Sequence, residues 1–575
     1  MNNRQIFEAL GLFGLLLASI PLFVKSDFVF VWDMQLYVSY LRSIQAGLGF
    51  VDVFGHDAYH RPGFTMIMHL WTSAFGLSAQ SLMWFTVIWS ALFCWVTFLW
   101  ARRFLGLGPA LVTWAALIAA PGLWFYLPRH IDPVWPTLVL GGLLMLDYAI
   151  SHLVNAQPRR LVVTAGLGGL LLIAAMTVKP VAVLAVLPAL WLCWQAWHVG
   201  GSVPRTALRW RYFGALAVGV SIWFVLLAVW SWAITWPVSG DEGGLLSVVG
   251  EKASYSSQSH LSRLIQDFLG SGIAGFLAQL WQAFTTYLLD ERSGIQLLSH
   301  LVLVALPLVF LAVLRPRLLE RYGQETPQVD SQRAQGVLLC LVLGFGPLML
   351  YVGSQGFRPS QVLISVALLA IGLGYGARLI LAQIPGSWSR WAQPAFAILL
   401  AGAVAAASVA FSSPRAERLG RLNAALFDGA VDQSLDGVKM ISEVAKIIQN
   451  AASEKQQTRQ ALGCEDGALF RLWVEGERTA YQLAASPQIA RREVLFLPRD
   501  FNAVAAQSFD QLMQAGPLAD MVITNIGRDG QPYEDLLAQS GAFTKAHTIV
   551  DGRENYSIWT RQDGLAVESC QTPAS

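Results

Sequence analysis

The sequence predicts an α-helical, polytopic membrane protein with a small α/β soluble domain at its C-terminal end. Of its 575 residues, 55% are hydrophobic and only 13% are charged, whereas an ordinary soluble domain is about 25% charged. The charge is unevenly spread, since residues 1–412 carry 23 Lys/Arg against 16 Asp/Glu and residues 413–575 carry 16 against 21. We therefore expect a transmembrane domain over residues 1–412 and a separate α/β domain over residues 413–575.

About eleven apolar runs are long enough to cross roughly 30 Å of hydrocarbon. The first run is too long for a signal-peptide core and lacks an Ala-x-Ala-like cleavage site, which predicts an uncleaved helix. The predicted spans lie near residues 6–26, 82–101, 108–126, 133–153, 161–178, 180–199, 212–236, 296–314, 335–353, 361–383 and 392–412.

Basic residues fall in every second connection between these runs, and the positive-inside rule assigns such connections to the cytoplasm. Fourteen of the 23 basic residues of the membrane domain then lie inside: Arg4, Arg102, Arg103, Arg159, Arg160, Arg205, Arg209, Arg211, Arg315, Arg317, Arg321, Arg333, Arg378 and Arg390. Loops 27–81 and 237–295 and the tail (residues 413–575) then lie at the opposite face. We expect an integral protein of a bacterial inner (plasma) membrane, with a cytoplasmic N-terminus and a periplasmic C-terminal domain.

Loop 27–81 contains two short helical patterns. The run from Phe64 to Leu77 is too short for a full span, and counting it would place the Arg-rich connections outside, so it predicts a re-entrant or in-plane helix. Before it, apolar residues recur at helical spacing, which is typical of a helix at the membrane interface; a helix packed on the protein's own surface fits equally well. These residues are Leu36, Tyr37, Tyr40, Leu41 and Ile44.

The tail combines helical and β-like patterns. Arg415 to Asn450 predicts an amphipathic helix, and it is followed by short β-like runs at Val494–Leu497, Met521–Thr524 and His547–Trp559. The tail has no nucleotide-binding glycine motif. Cys464 and Cys570 are its only cysteines, and they form a disulfide only if the tail is exported and the geometry allows it.

Ionisable groups near the ends of spanning helices are costly to place there, so each is a candidate functional residue. A single Asp is about as often a solvated helix cap, and a single Lys can extend to the headgroups. Several such groups at one depth on the predicted outer face favour a polar pocket, in which carboxylates activate an acceptor and cations stabilise a phosphate. The groups are Asp33, His56, Asp57, His60, Arg61, Arg129, His130, Asp132 and Lys179.

The order of these motifs resembles the GT-C glycosyltransferases, and most closely the protein O-mannosyltransferase and aminoarabinose lipid A transferase group. The resemblance covers roughly residues 1–380 in arrangement and about residues 25–200 in motif. The motifs are Asp33 in a first outer loop, His60-Arg61-Pro62-Gly63-Phe64 before a hydrophobic stretch, Pro128-Arg129-His130-Ile131-Asp132, Val178-Lys179-Pro180 and Gly356-Phe357-Arg358-Pro359.

The resemblance implies an inverting transfer, in which an acceptor displaces a polyprenyl phosphate from the anomeric carbon of a sugar. Asp33 would position or activate the acceptor, with Asp132 as its acidic partner. Arg61, Lys179 and Arg358 would bind the donor phosphate. Arg61 stands where the family often has Lys in a Lys-Pro-Pro or His-Pro-Pro setting, so a cation and one proline are kept. The remaining groups that could line the site are His56, Asp57, His60, Arg129, His130 and His260.

Loop 237–295 contains six acidic residues and His260. Acid and imidazole ligands bind divalent cations, but no tight ligand spacing occurs, so a solvated loop is the favoured interpretation. A divalent cation stays open as a cofactor and no other is predicted. The expected partners are a polyprenyl-phosphate-linked sugar donor, a glycan, lipid or protein acceptor, and membrane lipids, with no nucleic acid.

Two other functions are compatible with the sequence. A lipid or solute transporter would carry charges near the bilayer midplane on discontinuous helices, whereas here the charges lie mainly at helix ends. A membrane scaffold whose soluble tail binds a partner would need no intact site in the membrane domain.

Overall fold

The protein forms two compact units in a computed structural model. The first comprises residues 1–27, 83–228 and 249–413, and the second comprises residues 28–82, 229–248 and 414–575. The structure describes residues 32–45, 61–119, 133–198, 206–235, 333, 336–345, 438–461, 470–474, 494–496, 519–525, 531–551 and 554–562, with single residues between 270 and 278, 363 and 375, and 483 and 489.

Helices make up most of the described residues before position 346. In chain order they are α1 (Trp32–Gln45), α2 (Pro62–Phe75), α3 (Ala79–Leu105), α4 (Leu107–Ala119), α5 (Val134–Val154), α6 (Pro158–Val178), α7 (Val186–His198), α8 (Thr206–Thr235) and α9 (Gly336–Phe345). A 3-10 segment, Pro180–Ala185, leads into α7.

Five helical stretches among the described residues are long and apolar enough to cross a membrane. They are Gln80–Leu105, Val134–Val154, Pro158–Val178, Val181–His198 and Thr206–Ala233. Each corresponds to a predicted span. The other six predicted spans lie wholly or partly outside the described residues, so the total of about eleven stays a prediction.

Helix α5 is the most buried of these stretches. In its most apolar segment 72% of the residues are buried inside the protein, against 22% in the corresponding segment of α8. Close packing on α6 explains part of this burial, because Gly142 and Gly168 face each other and a Cβ on Gly142 would lie 3.1 Å from the Gly168 carbonyl oxygen. The indole N–H of Trp100 in α3 donates to the Leu140 carbonyl of α5 at 2.7 Å. Helix α5 is therefore an inner helix, and α8 has a large exposed surface.

Helices α6 and α8 run parallel. Gly166 lies against Ala215 and Gly219, and further along both helices the Trp223 indole N–H donates to Thr177 Oγ1 at 3.0 Å. A Cβ on Gly219 would overlap the Gly166 carbonyl oxygen, so only small residues permit this approach. The N-terminal ends of the two helices consequently share one face of the bundle.

A buried ion cluster joins α3, α5 and the chain just before α9. Asp147 Oδ2 accepts from Arg103 Nε at 3.0 Å, and Asp147 Oδ1 accepts from Arg333 Nε at 3.1 Å. Asp147 is fully buried and the Arg333 side chain is 2% exposed. Both guanidinium groups also donate to the hydroxyl of Ser151. One carboxylate thus holds two cations that are far apart in the sequence.

This cluster shows the surroundings of two arginines that the sequence analysis counts among the basic connections between spans. Arg103 lies in the last turn of α3, and Arg333 is buried against α5 rather than in contact with solvent. A charge inside a membrane protein is retained where a partner neutralises it. Asp147, which the sequence analysis does not single out, provides that partner.

The described residues of the tail form two helices and five strands. The elements are α10 (Val438–Ala461), β1 (Phe470–Val474), β2 (Val494–Phe496), β3 (Met521–Asn525), α11 (Gln531–Ser540), β4 (Phe543–Asp551) and β5 (Glu554–Arg561). The five strands form one mixed sheet with the order β2-β1-β3-β5-β4. The pairings β2-β1 and β1-β3 are parallel, and β3-β5 and β5-β4 are antiparallel.

The tail is held by an apolar core and one buried ion pair. Trp473, Val522, Leu537, Phe543 and Trp559 are among the core side chains. Lys455 Nζ in α10 lies 2.7 Å from Asp520 Oδ2, and Asp520 also accepts from the Arg471 backbone N–H at 2.7 Å. This carboxylate attaches α10 to the middle of the sheet.

The predicted small α/β character of the tail is confirmed, with two corrections. The run His547–Trp559 is not one strand but parts of two paired strands, β4 and β5; Gly552 and Arg553 lie between them in the sequence. Strand β1 was not predicted. The predicted helix Arg415–Asn450 is described only from Val438, and it continues to Ala461.

We expect Asp147→Leu to destabilise the protein by about 3–5 kcal/mol, because it leaves the buried Arg333 and the partly buried Arg103 without their carboxylate. The measurement is the thermal unfolding midpoint of the purified protein in detergent. Arg160→Gln is the control, since Arg160 is an exposed cation and such substitutions stay within about 0.5 kcal/mol. Equal midpoints for Asp147→Leu and the wild type would show that the cluster does not hold the helices.

Candidate functional site

Helices α1 and α2 pack against each other near their N-terminal ends. The rings of Tyr37 and Phe64 meet edge to face with centroids 4.7 Å apart, and both are buried. Asp33 lies in the first turn of α1, four residues before Tyr37, and Arg61 lies three residues before Phe64. This contact joins the first half of α1 to the first turn of α2, and two predicted site residues, Asp33 and Arg61, lie in or directly before these parts of the chain.

The buried side of α1 settles an alternative that the sequence left open. Tyr37, Tyr40 and Leu41, expected at the membrane interface or on the protein's own surface, are at most 4% exposed within the protein. Helix α1 is thus packed on the protein.

Arg61 is fixed at the beginning of α2. Its backbone is not helical, with φ −146° and ψ 59°, and Pro62 occupies the first helical position, where the missing N–H costs nothing. The Arg61 carbonyl accepts from both the backbone N–H and the Oγ1 of Thr65, at 3.1 and 3.2 Å. The guanidinium group therefore departs from a helix N-terminus, where the backbone dipole also favours anions.

The short helix α2 also contacts the C-terminal part of α8. Trp230 Nε1 donates to His69 Nδ1 at 3.1 Å. An indole N–H can only donate, so this bond requires an unprotonated Nδ1 and hence a neutral ring with its proton on Nε2. Burial lowers the pKa of His69 below its ordinary value, because it disfavours the charged form.

Lys179 lies at the end of α6, between that helix and the 3-10 segment. Its side chain is only 8% exposed, and its Nζ lies 5.8 Å from the ring centroid of Trp135 in the first turn of α5. An ammonium group over an indole face is attracted by the ring quadrupole. Lys179 is therefore held beside Trp135, which follows Asp132 by three residues in the sequence.

The described residues contain only part of the predicted site. Arg61 and Lys179 are described with their side chains, and Asp33 by its backbone alone. The roles assigned to all of these residues stay predictions. The other predicted site residues lie outside the described residues: His56, Asp57, His60, Arg129, His130, Asp132, His260 and Arg358.

Metal binding is not tested by the described residues. They contain no group of three or more His, Cys, Asp or Glu side chains that could hold an ion. The acidic loop 237–295, on which a divalent cation would depend, lies almost entirely outside them.

Trp135 is a candidate site residue that the sequence analysis missed. It is fully buried, and its indole N–H has no hydrogen-bond partner among the described residues. A buried donor of this kind normally has an acceptor. The available signal was its position three residues after Asp132, but 22 tryptophans in one membrane protein make any single one inconspicuous.

We expect acid to weaken the contact between α2 and α8. Because the folded-state pKa of His69 is lowered, its contribution to stability is present above the ordinary pKa and is lost as the pH falls through the folded-state value. His69→Asn retains an acceptor for Trp230 but does not titrate. The wild type should lose a few degrees of its thermal midpoint between neutral and mildly acidic pH, and His69→Asn should lose less.

The control for this prediction is His547→Gln, which removes an exposed imidazole and should leave the acid sensitivity unchanged. An identical acid response of His69→Asn and the wild type would exclude His69 as its source.

The chain is similar to solved structures of low sequence identity. No family model matches the chain, and no curated protein sequence matches it. The chain is similar to ArnT from Cupriavidus metallidurans bound to undecaprenyl phosphate, with 15% identity, 96% of this chain and 97% of that chain covered, and a TM-score of 0.45. It is also similar to the archaeal oligosaccharyltransferase AglB from Archaeoglobus fulgidus in complex with an inhibitory peptide and a dolichol-phosphate, with 11% identity, 98% and 75% coverage, and a TM-score of 0.48.

Proposed function

We propose that this protein is a membrane glycosyltransferase that moves a sugar from a polyprenyl-phosphate carrier to an acceptor. The reaction takes place at the membrane face opposite the arginine-rich connections. The observation that carries the proposal is the contact of Tyr37 in α1 with Phe64 in α2, because these residues follow the motif acid Asp33 by four positions and the motif cation Arg61 by three. Acid and cation in one place are what an acceptor and a phosphate leaving group require.

Lys179 is the second cation that supports phosphate binding in this proposal. It lies at the C-terminal end of α6, away from Arg159 and Arg160 at the N-terminal end. Its contact with Trp135 holds an ammonium group within a nearly solvent-free setting. A cation in such surroundings attracts a phosphate more strongly than it would in water.

The proposed reaction is one displacement with inversion at the anomeric carbon. The acceptor oxygen or nitrogen forms the new bond to that carbon, while the bond from the carbon to the phosphate oxygen breaks. The acceptor proton passes to Asp33, which acts as the base with Asp132 as its acidic partner. Arg61, Lys179 and Arg358 neutralise the charge that develops on the departing polyprenyl phosphate.

Asp33→Asn should lower the rate of sugar transfer by about 10²–10⁴-fold, because an amide cannot accept the acceptor proton. The two side chains have nearly equal size, so the thermal midpoint should change little. The measurement is single-turnover transfer from a polyprenyl-phosphate-linked sugar by the purified protein. Asp535→Asn, which removes an exposed acid in the tail, is the charge-matched control and should retain full activity.

The corresponding Asp132→Asn variant should also lose activity. Full transferase activity in both Asp33→Asn and Asp132→Asn would refute the proposal. A deletion strain with unchanged envelope glycans and lipids would argue against it as well, and analysis of those products in the wild type identifies the sugar and acceptor.

Lys179→Met should weaken polyprenyl-phosphate binding by about ten- to a hundredfold, as expected for the loss of one charge-assisted hydrogen bond. Lys179→Arg should retain part of the affinity because it keeps the cation. Native mass spectrometry of the purified protein with added polyprenyl phosphate measures the bound fraction. Lys446→Met, at an exposed lysine of α10, is the control, and equal binding by both methionine variants would remove Lys179 from the phosphate site.

A further inference from the structure

An apolar groove lies between the parallel helices α6 and α8, outside the candidate site. It has a volume of about 510 Å³, within the roughly 300–1,000 Å³ of small-molecule sites. Apart from one arginine its walls carry no charge. The lining residues are Val162, Val163, Gly166, Leu167, Leu170, Arg211, Gly214, Ala215, Val218, Gly219 and Ile222.

The groove arises because small residues bring two helices together while larger ones border the gap. Gly166 and Gly219 form the closest approach. Val163 and Val218 remain 59% and 57% exposed at the sides. An exposed apolar recess on a spanning helix pair faces lipid chains, so its natural occupant is itself apolar.

The groove has the length of one membrane leaflet. On α8 it extends from Arg211 to Ile222, and eleven residues at 1.5 Å each cover about 16 Å, half of the hydrocarbon thickness. Trp210, next to Arg211, is 62% exposed, as is usual for tryptophan at the level of the headgroups. Arg211 therefore marks the headgroup end and Ile222 the midplane end.

The headgroup end is positively charged. Arg211 lines the groove there, and the exposed Arg159 and Arg160 begin the neighbouring helix α6. Both helices also present the positive ends of their dipoles at this face, because they run parallel. Basic pockets between spanning helices favour anionic lipid headgroups.

We propose that this groove binds one anionic phospholipid, with an acyl chain along the apolar walls and the phosphate at Arg211. The lipid belongs to the leaflet at the arginine-rich connections, which is the leaflet opposite the proposed transfer reaction. Binding here does not depend on the sugar-transfer function.

Native mass spectrometry of the full-length protein released from nanodiscs tests this site. The discs contain phosphatidylglycerol and phosphatidylcholine in equal amounts, and the retained lipids are identified and counted. We expect one tightly retained phosphatidylglycerol on the wild type. Arg211→Gln should reduce its retention roughly five-fold, as expected for the loss of one cation at the membrane surface, whereas Arg160→Gln, an exposed cation on the same face, should reduce it less.

A second pair of variants tests the apolar walls. Val218→Trp fills the groove and should abolish the retained lipid. Val225→Trp is the matched control, because Val225 is 60% exposed on the same helix but does not line the groove. Equal retention of phosphatidylglycerol and phosphatidylcholine by the wild type, or equal losses in Arg211→Gln and Arg160→Gln, would overturn the proposal. Unchanged retention in Val218→Trp would overturn it too.

Discussion

The arrangement of helices α3 and α5 and of the chain just before α9 depends on the ion cluster around Asp147. Removing a carboxylate and two guanidinium groups from water is costly, and their mutual attraction offsets this cost only when all three stay together. Because Arg103, Asp147 and Arg333 belong to separate parts of the chain, the cluster fixes α3, α5 and the approach to α9 at a single point. Helices that share only apolar contacts in lipid have no comparable constraint on their register.

The same cost explains why Asp147, seven residues before the C-terminal end of α5, is paired with two arginines. Lys179 lies beside Trp135 in the first turn of the same helix, where the indole ring attracts its ammonium group. Helix α5 therefore contacts two polar regions that are separated by a length of apolar side chains. Ion pairs hold one region, and a contact between a cation and an aromatic ring lies in the other.

Sequence patterns predicted the described spans because length and apolarity alone determine whether a helix can cross a membrane. The ion cluster was not predictable in this way, since Asp147 and Arg333 are 186 positions apart and only folding makes them neighbours. The sequence analysis counted Arg333 only for sidedness, and its burial against α5 is a finding of the structure. In the tail, the alternation from His547 to Trp559 resembled one strand because both β4 and β5 have the same period, and only two residues, Gly552 and Arg553, separate them in the sequence.

The candidate site was predictable as a set of residue types but not as a geometry. Motifs placed Asp33 and Arg61 in one loop, yet the apolar side of α1 fitted lipid and protein equally well. The structure buries Tyr37 against Phe64, so α1 is packed on the protein. A base must keep its position to within a fraction of an ångström, and the role that we propose for Asp33 therefore requires a helix held by protein contacts such as this one.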